Sequence, residues 1–579
     1  MESFESLFSM ASLISWLGGI LVSLVVFKFD YLGKKEWFGN TCSAWVGIIS
    51  VAAIVALLIF GFYWFVPCVL LIPVGTVVWR WCKLKQRQKT LLKSKESLDQ
   101  DVLRYEFYEW LSQKELFRWE VRRFLLPAMD VLFEIGAIRK LDEELKRLED
   151  YKDWYEWKRL MSFVCWNRHE YQEMIDLLKS YENDKHLNES ERARTVINMF
   201  SAYRNQEDKE GVEIYAKKLE KMLFDRKLYW IEVFDDLMYF YDEKKDEEKI
   251  ERIKAIIKSL NIEEYCQLLN IYDVIYFYNR RHGKIDENKK LLDFMVEKSR
   301  LIRNEEQKKI FEIRLLKLYF ENDYDWKEYS VKLFNDADTY LNFSDKVAFE
   351  YLRAVNLVML NSRMQNLQPG IGIIELYSRI LKCIEEYVEE FDIKLLELPD
   401  DFLYRKKEML MLKMEYLKAS ANERLEFTGY VTSLNNTLHK IISLCEKNGD
   451  EREKLHFLVV LADEMMAYRD DITTFKKEKA RTPVEQTAIS KINDEELYFA
   501  QVEAVECVQE INQTLKMHHY DRTLAYVIFY AAYLNMKLND QIMAKQMLVR
   551  FHATGVDIKH YTIAVQKLYE DLKMQLEMQ

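Results

Sequence analysis

The chain has 579 residues and a formal net charge of −11, yet it contains only 15 glycines and 6 prolines. A β-sandwich or an α/β enzyme of this length would need many more turn residues, so the composition predicts a nearly all-α protein. The length exceeds what one hydrophobic core supports, which indicates several domains or a repeat array. The acidic balance argues against broad nucleic-acid binding, because nucleic acids attract basic surfaces.

The N-terminal region, residues 1–83, predicts a membrane anchor. Residues 42–79 carry no charge. A helix of that length would reach roughly 57 Å, nearly twice the ~30 Å hydrocarbon core. We therefore predict a helical hairpin over about 43–62 and 66–82, with Tyr63 and Trp64 in a turn at the membrane–water interface. An earlier span over about 6–27 lacks the basic start of a secretory signal, so we expect it to be retained.

The orientation of these spans follows from the basic residues in short loops. The 28–41 loop contains three lysines, and a basic run follows the third span, whereas the N-terminus and the aromatic turn have no basic residue. Three spans place residues 80–579 in the cytoplasm, and we predict a multi-pass protein of a bacterial inner membrane. A two-span alternative would put the lysine-rich loop outside. The predicted interface residues are Tyr63, Trp64, Arg80, Lys83, Lys85 and Arg87.

Two features of the anchor leave alternatives open. The basic run is explained by topology alone or by recognition of anionic lipid. Small residues on one face of the first span, Ser12, Ser15 and Gly19, either pack against the hairpin or form a face for self-association or a pore.

Residues 84–149 predict a helical stalk that leads from the membrane. The stretch 105–119 is unusually aromatic. We interpret it as the first buried layer of the polar domain, with contact at the membrane interface as the alternative.

A repeat follows over residues 150–361. Aromatic residues that each precede a polar residue recur near the ends of apolar helices, with spacings of 37, 38, 37 and 42 residues. Each is followed by a polar turn and a second amphipathic helix, as in an α-solenoid of helix hairpins. The residues predicted to pack between repeats are Trp166, Tyr203, Tyr241, Tyr278 and Phe320.

This pattern resembles the tetratricopeptide-like superfamily of helix-hairpin repeats. The resemblance is architectural, since the Trp…Leu-Gly…Tyr pattern and the prolines that end each repeat are absent. It implies a curved helical scaffold whose concave face binds peptides or proteins, and it assigns no individual binding residue. The fold class predicted is thus all-α, with N-terminal transmembrane helices followed by a cytosolic α-solenoid.

The rest of the chain predicts three segments: longer helices over 362–472, a basic linker over 473–493, and C-terminal repeats with a cap over 494–579. The linker is marked by Lys476, Lys477, Lys479 and Arg481 before Pro483. The last hairpin is expected near 523–536 and 540–551.

No phosphate-binding glycine loop, metalloprotease, hydrolase or kinase motif occurs. We therefore predict no catalytic residue, cofactor or metal site. His169 is expected to be solvated, and acidic pairs such as Asp235-Asp236 are expected from the high charge content alone.

Three functions remain open. The first is a membrane-anchored scaffold or sensor that binds a cytosolic protein partner at the inner face of the bilayer. The second is a membrane-disrupting effector, for example in anti-phage defence, whose spans form a homo-oligomer on a cytosolic trigger. The third is an enzyme with a cryptic helical site.

Overall fold

The computed structural model describes residues 78–89, 97–114, 116–184, 187–260, 268–321, 336–344, parts of 347–355, 398–424, 429–477, 494–517, 522–561 and 563–577, with a few single residues between 382 and 492. Every regular element in these ranges is a helix. The chain divides into two compact units: Met1–Ile135 with Asp150–Leu160, and Gly136–Glu149 with Met161–Gln579.

The first unit contains short helices. They are α1 (78–89), α2 (Ser97–Ser112), α3 (118–128) and α4 (Asp130–Ile135). Helix α3 includes a π-helical turn over Val121–Leu125, which ends two residues before Pro127. Within the region predicted to be a helical stalk, α2 ends at Ser112 and the chain turns before α3 begins.

The aromatic stretch of the first unit is buried. Tyr105, Phe107 and Tyr108 are all inaccessible or nearly so. Phe107 stacks on Trp110, with ring centroids 6.2 Å apart. These contacts agree with the interpretation of a buried layer.

A buried ion pair fastens α1 to α3. The carboxylate of Glu120 is completely buried and accepts two hydrogen bonds from the Arg80 guanidinium, at 2.7 and 2.8 Å. It also accepts the backbone N–H of Phe117 at 2.9 Å, which caps the start of α3. The guanidinium carbon lies 4.3 Å from the centre of the Phe117 ring. Arg80 is thus held by the protein, at a position where the sequence predicted a membrane-interface residue.

We expect Glu120→Gln to lower the free energy of unfolding of the first unit by about 2–3 kcal/mol, because it removes the anion from a largely buried guanidinium. Pulse proteolysis of the full chain in urea measures the change. The matched control is Glu134→Gln, since Glu134 pairs with Arg104 in an accessible position, and that change should cost less than about 1 kcal/mol. Equal effects of the two substitutions would contradict the structural role of the Arg80–Glu120 pair.

The second unit consists of successive helix hairpins. Its helices are α5 (Ile138–Arg147), α6 (Tyr155–Asn167, which begins in the first unit), α7 (Tyr171–Tyr181), α8 (Glu189–Asn205), α9 (Lys209–Phe224), α10 (Ile231–Lys244), α11 (Glu247–Ser259), α12 (Leu268–Arg281), α13 (Ile285–Ser299), α14 (Glu305–Glu321) and α15 (Ala337–Leu341). After residue 400 follow α16 (Leu403–Arg424), α17 (Tyr430–Asn448), α18 (Glu451–Lys477), α19 (Asp494–Met517), α20 (Ala525–Lys537), α21 (Gln541–Ala553) and α22 (Ile563–Glu577).

A tyrosine near the end of three of the first helices, α8, α10 and α12, joins neighbouring hairpins. Tyr203, Tyr241 and Tyr278 are buried. Each reaches a charged residue of the preceding second helix. Lys179 of α7 lies 5.4 Å from the centre of the Tyr203 ring, and the Tyr278 hydroxyl donates to Glu247 of α11 at 3.4 Å. Burial and the neighbouring Glu220 of α9 raise the pKa of Tyr241.

The first of these tyrosines requires a glycine opposite it. The Tyr203 ring stacks on Tyr215 at 5.4 Å and covers Gly211, both in α9. A methyl group on Gly211 would lie 2.2 Å from the Tyr203 ring. This distance is far inside van der Waals contact, so only glycine lets the two helices approach so closely.

We expect Gly211→Ala to destabilise the second unit by about 1–3 kcal/mol through overpacking, although alanine in a helix normally stabilises by about 1 kcal/mol relative to glycine. Urea unfolding of the full chain tests the sign. In a Tyr203→Leu background the same substitution should cost less, because the clashing ring is gone. Lys217→Ala, at an exposed position of α9, is the control. A stabilising Gly211→Ala would disprove the close packing.

The C-terminal residues form further helices. The last hairpin is formed by α20 and α21, and α22 follows as the terminal helix. Helix α18 continues to Lys477, so the first residues of the predicted 473–493 linker are helical, and most of the remainder lies outside the described residues.

The predicted membrane spans over 6–27 and 43–62 lie outside the described residues, as does 66–82 up to residue 77. Tyr63, Trp64, Ser12, Ser15 and Gly19 are among the residues not described. In the part of the chain that the structure describes, no helix has the length and apolar character needed to cross a membrane.

Candidate functional site

A solvent-accessible cavity of about 350 Å³ lies within the second unit, and we call it the arginine–tyrosine cavity. The first helices of four successive hairpins, α6, α8, α10 and α12, form one side. Residues that flank α20 and α22 form the other. The lining residues are Trp166, Ser201, Arg204, Asn205, Tyr239, Arg281, Arg522, Thr523, Val556 and Tyr561.

The repeat geometry places arginines in this cavity. Tyr203 turns into the contact between hairpins, and the next residue, Arg204, points about 100° away around the helix. Arg281 is the last residue of α12. Both therefore lie near helix C-termini, where the helix dipole favours positive charge.

Three guanidinium groups surround the ring of Tyr239. Their central carbons lie 3.5 Å (Arg204), 5.2 Å (Arg522) and 5.6 Å (Arg281) from the ring centre. A cation over an aromatic face gains about 0.5–2 kcal/mol, more when water is excluded. Tyr239 thus lets three like charges share one small region.

Carboxylates that do not line the cavity balance these charges. Arg522 contacts Glu243 at 2.9 Å and also donates to the Tyr239 hydroxyl. The other two pairs are longer: Arg204 with Asp236 at 3.6 Å, and Arg281 with Asp242 at 3.5 Å.

Two of the guanidinium groups are poorly satisfied. Neither Arg204 nor Arg281 donates a hydrogen bond to any described residue, and the buried Nε of Arg281 has no acceptor. The side chains of Arg204 and Arg281 are only 23% and 15% exposed. A buried donor without an acceptor costs about 1–3 kcal/mol, more when charged.

The acid that faces Arg204 is itself unusual. Burial raises the pKa of Asp236 to about 7, although Arg204 acts to lower it. Near neutral pH the carboxyl therefore carries only part of its negative charge. The Arg204 charge is correspondingly less neutralised than a normal ion pair would make it.

The raised pKa of Asp236 predicts the pH dependence of stability. Its folded pKa of about 7 lies above its ordinary value of 3.8, so ionisation opposes folding. The contribution of Asp236 to the free energy of unfolding should fall as the pH rises from its ordinary pKa to its folded pKa, and it should stay low at higher pH. Urea unfolding at about pH 5 and about pH 8 should show this loss, and Asp236→Asn should reduce it by at least about 1.4 kcal/mol, the equivalent of one pKa unit.

The exposed Glu248, in α11, provides the control for that measurement, because it is not among the charges that act on Asp236. Glu248→Gln should leave the difference between the two pH values unchanged. An Asp236→Asn protein with the same pH dependence as the parent chain would show that Asp236 ionises normally.

The second side of the cavity comes from the distant C-terminal repeats. Arg522 and Glu243 are 279 residues apart in the chain. The next residue, Thr523, approaches Nδ1 of His169 at 3.3 Å, and the same nitrogen lies 3.0 Å from the Tyr171 hydroxyl. His169 is therefore not simply solvated, as the sequence suggested. Burial raises the pKa of Tyr561 to about 12, so its hydroxyl is neutral at physiological pH.

A second cluster offers metal ligands. Donor atoms of Cys165, Glu170 and Glu173 lie within 4.8 Å of one another. Burial, together with the two carboxylates, raises the pKa of the Cys165 thiol to about 12. The thiol is protonated near neutral pH and is a poor ligand in that form.

The residues predicted from the sequence lie in three places. Tyr203, Tyr241 and Tyr278 are in the contacts between hairpins, and half-buried Trp166 lines the cavity. The Phe320 side chain is not described. In α1, Lys83 lies 5.1 Å from the centre of the Trp79 ring and Lys85 lies 4.5 Å from that of Trp81, and Arg87 is exposed.

Sequence reasoning missed the arginines of the cavity. Tyr203-Arg204 is one of the recurring aromatic–polar pairs, so a signal for Arg204 existed. No local pattern indicates Arg522, because its neighbours in the cavity come from distant repeats.

The fold and cavity define an all-α helical-repeat protein. No protein-family model matches the chain, and no curated protein matches it in sequence. One similar solved structure is a monomeric mutant of IFIT1 with m7Gppp-AAAA. It is 12% identical, with 73% of this chain and 96% of that chain covered, and the TM-score is 0.22. At this score the similarity carries no argument about fold, ligand or function.

Proposed function

We propose that this chain is a non-catalytic interaction protein: a helical-repeat scaffold or sensor, held at the inner face of a membrane, that binds a cytosolic protein. The arginine–tyrosine cavity carries the proposal. Its wall is assembled from four successive hairpins, and none of them forms it alone. α-Solenoids bind partners in this way, on surfaces built from equivalent helices of neighbouring repeats.

The chemistry of the cavity favours binding over catalysis. Its lining contains arginines, tyrosines and a tryptophan, with neither a carboxylate nor a histidine to act as a general base. Arginine and large aromatic residues are the types that dominate binding energy at protein interfaces. A partner with an acidic or phosphorylated segment would match this surface.

Location at a membrane is supported by α1 and by the apolar segments before it. Val78, Trp79 and Trp81 of α1 are exposed. Lysines lie over both indole rings. Exposed tryptophan next to lysine is typical of the membrane–water interface on the cytoplasmic side. The effector alternative depends on spans outside the described residues and stays a prediction.

Site-specific photocrosslinking in intact cells tests the proposal. With a photoreactive amino acid at Asn205, which lines the cavity, we expect the full-length chain to form one discrete protein adduct in the membrane fraction. The adduct should be lost when Arg522→Glu inverts a charge of the cavity. Exposed Arg226 pairs with Glu189 and does not line the cavity, so Arg226→Glu should retain the adduct.

The same photoreactive group at exposed Lys217 should give no such adduct. Equal labelling from the two positions, or no protein adduct from Asn205, would refute partner binding at the cavity. Recovery of the chain only in the soluble fraction would refute the membrane part of the proposal.

A further inference from the structure

The arginine–tyrosine cavity has an excess of unsatisfied cationic donors on its wall. Three arginines line it and no acidic residue does, because the balancing carboxylates lie outside the lining. A guanidinium has five N–H donors. Those of Arg204 and Arg281 make no hydrogen bond with the described residues, and the Nε of Arg281 is buried without an acceptor. The wall is therefore built to receive an anion with several acceptor oxygens.

Phosphate fits these donors better than a carboxylate does. A phosphate monoester offers three terminal oxygens and nearly two negative charges, so it can accept hydrogen bonds from more than one guanidinium. All three guanidinium groups line the cavity and lie within 5.6 Å of the centre of one tyrosine ring. The partial protonation of Asp236 further reduces competition for Arg204.

The rest of the cavity accommodates an organic group. A volume of about 350 Å³ exceeds what a bare phosphate fills and lies in the range of small-molecule sites. Trp166 supplies an aromatic surface, and the neutral Tyr561 hydroxyl with Ser201 and Thr523 supplies groups that can bond to a sugar.

We propose that the arginine–tyrosine cavity binds a small phosphate monoester, with the phosphate held by Arg204, Arg281 and Arg522 and the organic group against Trp166 and Tyr561. This ligand assignment rests on the proposed role of the cavity as the binding site of a sensor. Since Arg522 and Tyr561 belong to the C-terminal repeats, the ligand bridges them to α8 and α12. Binding therefore stabilises the contact between these distant repeats.

Calorimetry and thermal unfolding of the purified full-length chain in detergent test the inference. The probes are AMP, ribose 5-phosphate, inorganic phosphate, adenosine and succinate. AMP or ribose 5-phosphate should bind and raise the unfolding temperature, and inorganic phosphate should bind more weakly. Adenosine should not bind, because it lacks the anion. Succinate should bind more weakly than the esters, because it has only carboxylates.

Arg281→Gln should weaken binding of the phosphate ester about 10- to 100-fold, as expected for the loss of a charge-assisted hydrogen bond. Arg226→Gln, outside the cavity, should leave binding unchanged. Ser201→Leu fills the cavity without changing charge and should also abolish binding, which keeps the test valid if Arg281→Gln fails to fold.

The inference is overturned if no phosphate ester binds at about 1 mM, if succinate binds as well as the esters, or if Arg281→Gln and Ser201→Leu bind as the parent does. If no phosphate ester binds but the protein adduct from Asn205 still forms, the ligand assignment is refuted and the proposed function is not. Ligand binding without a crosslinked protein refutes the proposed function alone.

Discussion

The repeats of the second unit depend on the burial of a tyrosine near the ends of α8, α10 and α12. A tyrosine buries a large ring but must satisfy its hydroxyl, and here Tyr241 and Tyr278 reach charged residues of the preceding hairpin. This requirement fixes the rotation of these three helices against their neighbours. Tyr203 adds a steric condition, because its ring occupies the space that a side chain at position 211 would need. Helix packing, rather than a motif, therefore sets the register of the repeat.

The same rotation determines where charge accumulates. With Tyr203 directed into the hairpin contact, Arg204 has to point elsewhere, and its guanidinium lies against the ring of Tyr239 of α10, which Arg281 of α12 also approaches. Like charges in such proximity repel, and the aromatic ring and the acids outside the lining offset that repulsion. The compensation is incomplete, since Arg281 retains a buried donor without an acceptor. Natural structures leave few such donors, and these concentrate where a ligand or a water completes the bond.

Whether a feature could be predicted from the sequence depended on how far apart in the chain its interacting residues lie. Helix hairpins and the buried tyrosines could be inferred, because periodicity and the spacing of aromatic residues are local properties of the sequence. The break between α2 and α3 was not foreseen, because Glu120 caps α3 while it binds Arg80 of an earlier helix. The cavity could not be inferred either. In the sequence, Asp235-Asp236 is an ordinary acidic pair, and only the fold shows that Asp236 is buried. Arg522 contacts Glu243 of α10, which is 279 residues away in the chain.

That long separation gives the cavity a property that a pocket within one hairpin would lack. Its two sides come from different parts of the repeat array, so Arg204, Tyr239 and Arg522 meet only while those two parts are in contact. Repeat proteins gain stability through contacts between neighbouring repeats, and local disorder in one repeat weakens the next. A ligand that contacts both sides binds only the ordered array, and its binding therefore stabilises that array. Occupancy of the cavity is then linked to the arrangement of the repeats, which is the coupling that a sensor needs.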